Sequence, residues 1–300
     1  MGKFNYGGQA VIEGVMMRGQ YHSAVAVRKT DQTITVLEQD LRPWSDRFPI
    51  LKKPILRGAV ALIESMIMGL GSLNYSASQF GEAEEQLTTK ELVLTMGFAL
   101  VLTVALFIVL PAFLLRFVQS HISSNIVVNL VEGAIKVSIF IIYILAISWM
   151  DDIKRVFAYH GAEHKTINCY EAGEELTVAN VKKHSRVHAR CGTNFILIVL
   201  FTSVFIFSFF GRPPFFQRIL THLAILPVVA GLSYELIRKA GQQDCRPIFK
   251  VVARPGMLLQ SLTTVEPDDA MIEVAIKALN TVLDKDSVHP EVQKVVPFPS

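Results

Sequence analysis

Two histidines and a glutamate, spaced as His-x-x-Glu-His, form the first pattern in this chain that could carry chemistry. His160 and His164 are four residues apart, so on a helix their side chains lie on one face. Two imidazoles in this arrangement can bind a metal ion, and Glu163 between them can act as a general base toward water. This order of residues is typical of the inverzincin helix. The alternative interpretation is a polar network in which the two histidines only donate and accept hydrogen bonds.

A second group of candidate ligands follows closely in the sequence. Four of the eight histidines and two of the three cysteines lie within residues 160–191. A catalytic zinc site needs a third protein ligand and one open position, and the candidates for that ligand are His184, His188, Cys191 and Glu235. His188 and Cys191 are three residues apart, which suits chelation across a turn. The alternatives are a small buried hydrophobic side chain for Cys191 and a carboxylate at the membrane edge for Glu235.

The composition indicates a membrane protein with sizeable soluble parts. The chain has 300 residues, 51% of them apolar, and a mean hydropathy of +0.39, with the apolar residues concentrated in blocks. The net charge of +3 is too small to argue for nucleic acid as a partner. The N-terminal segment Met1–Gly8 is polar and does not resemble a secretory signal. Cys169, Cys191 and Cys245 are widely spaced, which favours reduced thiols facing the cytosol.

Four segments are long and apolar enough to cross a bilayer of ~30 Å hydrocarbon thickness. They form two pairs, residues 92–118 with 125–150 and residues 195–210 with 215–237. Pro111 is expected to kink the first segment. The second contains Glu132 and Lys136, an i,i+4 pair that we expect to neutralise itself and to reach toward the interface. Residues 55–80 are also apolar, but because they include charged side chains we expect an amphipathic or interfacial helix.

The distribution of Lys and Arg orients these segments. Eight basic residues lie in residues 1–54, seven in 151–193 and five in 238–254, whereas the connection 116–124 holds only one. The positive-inside rule therefore places both termini and the middle loop in the cytoplasm, in a bacterial cytoplasmic membrane. If residues 55–80 were a fifth span, the eight N-terminal basic residues would lie outside.

Three stretches supply the cytoplasmic part. Residues 1–54 contain two β-branched runs, 23–27 and 33–37, which predict a hairpin. Residues 151–193 form the His/Cys-rich loop, and its first part, Asp151–Tyr170, is expected to continue the second span as a helix. Residues 238–300 form a soluble tail with one docking helix, whose apolar face consists of Met271, Val274, Ala275, Ala278, Leu279, Val282 and Leu283.

Three motifs in this chain resemble those of the YqhQ family of bacterial multi-pass membrane proteins, a domain of unknown function. The motifs are Gly8–Gly19 (GQAVIEGVMMRG), His160–Lys165 (HGAEHK) and Arg190–Thr193 (RCGT). The resemblance implies a multi-pass protein of the cytoplasmic membrane, in a family sometimes labelled a predicted metal-dependent enzyme. Ala189 stands where the family pattern leads us to expect proline, which loosens the turn before Cys191.

The sequence thus predicts an α-helical integral membrane protein with four spans and a small α+β cytoplasmic portion. The first functional hypothesis is a hydrolase that uses a divalent metal, zinc, at the membrane surface and acts on a membrane protein or a lipid. In it His160 and His164 bind the metal, Glu163 activates water, and His188, Cys191 or Glu235 completes the ligand set. The second is a non-enzymatic scaffold with a structural metal or none, for which a closed His/Cys sphere would argue. A transporter is the weaker third interpretation.

Overall fold

The computed structural model describes residues 6–80, 89–240 and 247–288, so Cys245 and the tail beyond residue 288 lie outside the described residues. Its longer helices alternate between an apolar bundle and a smaller α+β unit. The α-helices run in chain order as α1 Trp44–Arg47, α2 Leu56–Phe80, α3 Thr89–Val104, α4 Leu110–Val118, α5 Asn125–Ile147, α6 Asp151–Glu171, α7 Val178–Val181, α8 Gly192–Phe207, α9 Phe215–Ala240, α10 Pro247–Thr263 and α11 Asp269–Ser287. Single turns of 3-10 helix lie at Pro49–Lys52, Gln119–His121 and Ser208–Phe210.

A four-stranded antiparallel sheet begins the chain, in the order β1 (Gly7–Val11), β2 (Gly14–Arg18), β3 (His22–Arg28) and β4 (Ile34–Asp40). The expected hairpin corresponds to β3 and β4, which pair from His22↔Asp40 to Arg28↔Ile34. Strands β1 and β2 were not predicted, because a glycine-rich run has low intrinsic strand propensity. Close contact with a neighbouring strand explains why β2 forms: a Cβ on Gly14 would lie 2.3 Å from the Ala26 carbonyl oxygen.

The sheet is covered by helices on both faces. Alternate strand residues contact α6 and α11 on one face and α2 on the other, as the two-residue period of a strand requires. The first face presents Val15, Met17, Ala24 and Ala26, and the second presents Val11, Met16, Val25 and Val27. Helix α11 begins at the N-cap Asp268 and buries the apolar face that its sequence indicated.

Five helices of the described chain are long and apolar enough to cross a membrane, whereas the sequence analysis expected four. The additional one, Leu56–Gln79, is the segment interpreted as interfacial. The stretch Val93–His121 is one candidate although it comprises α3 and α4, which a π-helical turn at Ala105–Val109 joins. Pro111 lies directly after this turn, where its missing N–H and its ring disturb the regular hydrogen-bond ladder.

The second candidate span does not continue into α6 as one helix. Helix α5 ends at Ile147, and α6 begins at Asp151 after Met150, whose backbone is extended (ψ 129°). Asp151 and Asp152 in the first turn favour a new helix N-terminus, because their carboxylates complement its partial positive charge. The break reorients α6, which then packs along the sheet.

The Glu132–Lys136 pair forms as expected, with 2.9 Å between its charged groups, but it does not extend to the surface of the protein. Both side chains are buried among the helices. Helix α9 contributes Arg218, which donates to Glu132 at 2.5 Å, and His222, whose Nε2 is 2.9 Å from the same carboxylate. The sequence did not reveal this cluster because its members lie 86 and 90 residues apart, and only packing of α5 near α9 brings them together.

The tail 238–300 also differs from the expectation of a single docking helix. Helix α10 packs against α8, α9 and α5, and Leu259 joins a bundle core that includes Phe140 and Leu197. Its contact with α8 depends on Gly256, where a Cβ would meet Asn194 atoms at 2.0 and 2.7 Å. This helix links the bundle to the candidate site described below.

A glycine pair sets the crossing of α2 and α9, and it supplies a stability prediction. A Cβ on Gly231 would lie 2.4 Å from the Ile55 carbonyl oxygen, and one on Gly58 would lie 2.9 Å from the Gly231 backbone. We expect Gly231→Ala to destabilise the protein by about 1–3 kcal/mol, because two helix backbones must separate. Gly71→Ala is the matched control: nothing lies within 4 Å of its Cβ, and alanine in an exposed helix position should stabilise by about 0.5–1 kcal/mol. Thermal unfolding in detergent measures both, and equal melting temperatures would contradict the assignment.

Candidate metal centre

Helix α6 presents the His-x-x-Glu-His motif between the sheet and α10. Gly161 allows this close packing, since a Cβ there would lie 2.2 Å from the Val265 carbonyl oxygen. Glu163 and His164 are buried, whereas His160 is partly exposed. The ring centroids of the two histidines are 4.3 Å apart, so the helical spacing does bring them to one place.

The two histidines each use Nδ1 in a hydrogen bond to a backbone carbonyl. His160 Nδ1 lies 2.9 Å from the Thr263 oxygen, and His164 Nδ1 lies 2.6 Å from the Arg186 oxygen. A carbonyl oxygen only accepts, so both rings carry their proton on Nδ1 when they are neutral. Each Nε2 then presents a lone pair, and this arrangement of ring and carbonyl orients histidines that bind metal ions.

Cys191 supplies a third donor atom beside these lone pairs. Its Sγ lies 3.2 Å from His160 Nε2, and donor atoms of His160, His164 and Cys191 all lie within 4.8 Å of one another. Two ligand atoms on a tetrahedral zinc, with bonds of ~2.0 Å to nitrogen and ~2.3 Å to sulfur, are about 3.6 Å apart. The donor types and their separations therefore fit zinc after small side-chain movements. Cys191 also caps the N-terminus of α8, because its Sγ accepts from the Thr193 N–H.

Glu163 lies next to this trio, outside direct hydrogen-bond distance of both rings. One of its carboxylate oxygens is 3.9 Å from His160 Nε2 and 3.8 Å from His164 Nε2. This carboxylate oxygen is therefore about equally far from the two ring nitrogens. An oxygen there can hold a water molecule and accept its proton.

A cavity of about 970 Å³ opens beside the cluster. Glu163, His160 and Cys191 form part of its wall, and the opposite side comes from one face of α2 and the end of α9. Gly7 and Gly8 of β1 line it next to Glu163, where a Cβ on Gly8 would lie 3.0 Å from the glutamate Cγ. His160 and Cys191 consequently face a space large enough for a small-molecule ligand or part of a larger one, whereas His164 is buried.

The structure places the other sequence candidates elsewhere. His188 Nε2 lies 3.5 Å from a Glu171 carboxylate oxygen, and its ring centroid is 5.7 Å from that of His164, so it borders the trio without joining it. Glu235 accepts two hydrogen bonds from Arg57, at 2.6 and 2.5 Å, which occupy both carboxylate oxygens. His184 belongs to a different group of donors at the far end of α6.

Glu171 beside His188 is held in its charged form. Burial alone would raise its pKa, but the interactions with His188 and Arg190 outweigh burial and lower the pKa below its ordinary value. A carboxylate so engaged orients the loop through His188 and Arg190. It does not face the three donors as Glu163 does.

Sequence reasoning missed the residues that orient the site. Gln260 of α10 holds both backbone groups of His188, accepting from its N–H and donating to its carbonyl at 2.8 Å each. Thr263 and Arg186 contribute only main-chain oxygens. A contact made by main-chain atoms cannot be recognised from residue types. In the sequence, only Gln260, a glutamine in a largely apolar segment, could have indicated that α10 contributes to the site.

Comparison with known proteins gives a family but no chemistry. A family model described as "Protein of unknown function (DUF1385)" matches residues 53–285. The "Uncharacterized protein YqhQ" of Bacillus subtilis (strain 168) is 36% identical over 304 residues, which cover 96% of this chain and 95% of that protein. No solved structure gives a significant match.

Proposed function

Because the chain belongs to the DUF1385 family of proteins of unknown function, which includes YqhQ, we propose its activity from the candidate site alone. We propose a metal-dependent hydrolase, with zinc held by His160, His164 and Cys191 and with Glu163 as the general base. The observation that carries the proposal is the convergence of three donors within 4.8 Å of one another, next to a carboxylate, with His160 and Cys191 on the wall of a large cavity.

The donor set supports zinc over harder cations. Two imidazoles and a thiol suit zinc, whereas magnesium and calcium prefer oxygen ligands. Three protein ligands leave one coordination position open, which is the arrangement of catalytic rather than structural zinc sites. When bound at such a site, zinc acts as a Lewis acid and lowers the pKa of water.

The protein groups around the metal have separate roles in the proposed reaction. Carbonyl oxygens from α10 and from the loop before Cys191 hold the imidazole rings in their tautomers. The Glu163 carboxylate accepts a proton from the attacking water and returns it to the leaving group. Because protein atoms cover most of Glu163, its carboxylate is held at a fixed position on the cavity wall.

We propose that the site lies at the cytoplasmic face of a bacterial cytoplasmic membrane, with both termini in the cytoplasm. Helices α3–α4, α5, α8 and α9 would form four spans, and α2 would lie at the interface. Two observations support this place for α2: its second half packs on the sheet through Met68, Leu73 and Tyr75, and its Arg57 pairs with Glu235. The bilayer is then the immediate partner, and a membrane lipid or membrane protein is the substrate.

A second candidate is favoured by the 3.2 Å contact between Cys191 and His160. A thiol at a helix N-terminus beside an imidazole lone pair is also the arrangement of a cysteine nucleophile with its base. This candidate leaves Glu163 and His164 without a role. It predicts full hydrolytic activity after metal is removed with a chelator, whereas the zinc proposal predicts loss and recovery on adding zinc.

The scaffold hypothesis with a closed four-ligand sphere has less support. Its fourth ligand would be His188, whose donor atoms are not among those that lie within 4.8 Å of one another in this group. A scaffold would also leave the cavity beside Glu163 without a purpose.

Elemental mass spectrometry of the purified, detergent-solubilised protein tests the metal directly. We expect the variant His160→Ala/His164→Ala to lose one equivalent of zinc relative to the wild type, because two of three ligands are removed. His121→Ala, an exposed histidine on a short turn, is the matched control and should retain it. Equal zinc content in all three proteins would contradict the assignment of His160 and His164 as ligands. Loss in the double variant alone would justify substrate screens on phospholipids and membrane-protein peptides.

A further inference from the structure

A second group of donors lies at the other end of α6, away from the proposed catalytic centre. Cys169 near the helix C-terminus, Glu174 in the following turn and His184 after α7 bring donor atoms within 4.8 Å of one another. We propose that this group is a second zinc site, structural in role, that closes the segment between α6 and the loop leading to Cys191. The proposal does not depend on the hydrolase activity.

The His184–Glu174 contact has the dimensions of two ligands on one metal. His184 Nε2 lies 3.4 Å from a Glu174 carboxylate oxygen. Two ligand atoms at bond lengths of ~2.0–2.2 Å around a tetrahedral zinc are themselves about 3.4 Å apart. A charge-assisted hydrogen bond between the same groups would be shorter, at about 2.7–2.9 Å.

The imidazole of His184 also needs a partner. Its Nε2 is buried and has no hydrogen-bond partner within the described residues. A buried polar atom that is left unsatisfied costs about 1–3 kcal/mol, so native structures rarely contain one without a reason. A zinc ion between His184, Glu174 and the nearby thiol would supply the missing interaction.

The thiol of Cys169 is available for this purpose. The side chain is fully buried, and its thiol makes only a weak hydrogen bond, 3.7 Å from Sγ to the Glu175 carbonyl oxygen, which a metal bond could replace. One sulfur, one nitrogen and one carboxylate oxygen form a ligand set for zinc, and the first two disfavour magnesium and calcium. Glu174 is exposed, so water can reach a fourth position.

The position of the group explains what a structural ion would stabilise. The chain leaves α6 at Glu171, turns at Gly173 with φ 76°, and passes His184 on its way to Arg186 and Cys191. Arg186 orients His164 through its carbonyl, and Cys191 is the third donor of the first centre. Fixing His184 to the end of α6 therefore restricts the segment that completes the catalytic cluster.

Zinc stoichiometry in variants of each centre tests the inference. We expect two equivalents in the wild-type protein and one in His160→Ala/His164→Ala, with the remaining equivalent lost when Cys169→Ser or His184→Ala is added. Glu175→Gln is the matched control, because Glu175 contributes only its backbone carbonyl to the group and its exposed side chain is free to change. This control should retain both equivalents.

A second readout guards against variants that fold poorly. Zinc added to the metal-free His160→Ala/His164→Ala protein should raise its melting temperature, and Glu174→Gln should abolish that rise while leaving the gel-filtration profile unchanged. A protein whose only zinc disappears with His160 and His164 would overturn the second site, and so would a rise in melting temperature that survives Cys169→Ser. If the first centre binds no metal, the result is different: the His160→Ala/His164→Ala variant then contains as much zinc as the wild type.

Discussion

Glu163→Gln is expected to abolish most of the hydrolytic activity, by about 10²–10⁴-fold, while the protein keeps its metal. The amide has nearly the same shape as the carboxylate, so the packing of α6 against Gly8 should persist. An amide cannot accept a proton from water, and the chemical step therefore loses its base. The loss should appear in kcat and in kcat/KM alike, because the removed interaction acts in the transition state.

The measurement pairs turnover with zinc content in the same preparation. Glu175→Gln, an exposed glutamate on the turn after α6, is the control and should retain wild-type turnover. Wild-type turnover in Glu163→Gln would refute the base assignment. Loss of zinc together with activity would instead make Glu163 a ligand.

Glu132→Gln is expected to destabilise the helical bundle by about 3–5 kcal/mol, the usual cost of leaving a buried charge without its partner. Among the described residues, Glu132 is the one carboxylate in contact with Lys136, Arg218 and His222, and all four side chains are buried between α5 and α9. Removing the carboxylate leaves the Lys136 and Arg218 cations without their shared counter-charge in an apolar environment.

Lys136→Met supplies the sharp comparison within the same cluster. Methionine has nearly the length of lysine but no charge. The change therefore removes one cation and leaves Glu132 paired with Arg218 and His222. We expect this change to destabilise the protein by less than half as much as Glu132→Gln, because the remaining charges are better balanced. Thermal unfolding in detergent micelles measures both variants. Equal destabilisation by the two would show that the cluster acts by packing rather than by charge.

The sequence alone determined the parts of this protein that depend on local pattern. The spacing of His160, Glu163 and His164 identified one face of a helix, and α6 does carry the three together. The apolar period of residues 271–283 identified the docking face of α11. Long apolar runs identified four of the five helices in the described chain that could cross a membrane. Each of these signals lies within one element, where side-chain period and length are fixed by backbone geometry.

Tertiary structure decided the rest. The third donor could not be chosen from the sequence, because His188, Cys191 and Glu235 all had suitable chemistry; packing placed Cys191 at the trio, His188 on Glu171 and Glu235 on Arg57.

Similarly, the glycine-rich segment became two strands because the backbone of β3 packs against Gly14, a contact that no local propensity encodes. The buried charges of α5 found partners on α9, and the histidine tautomers were set by carbonyls of Thr263 and Arg186. Contacts between residues distant in the chain, above all those made by main-chain atoms, leave no residue-type pattern, and these contacts complete the proposed site.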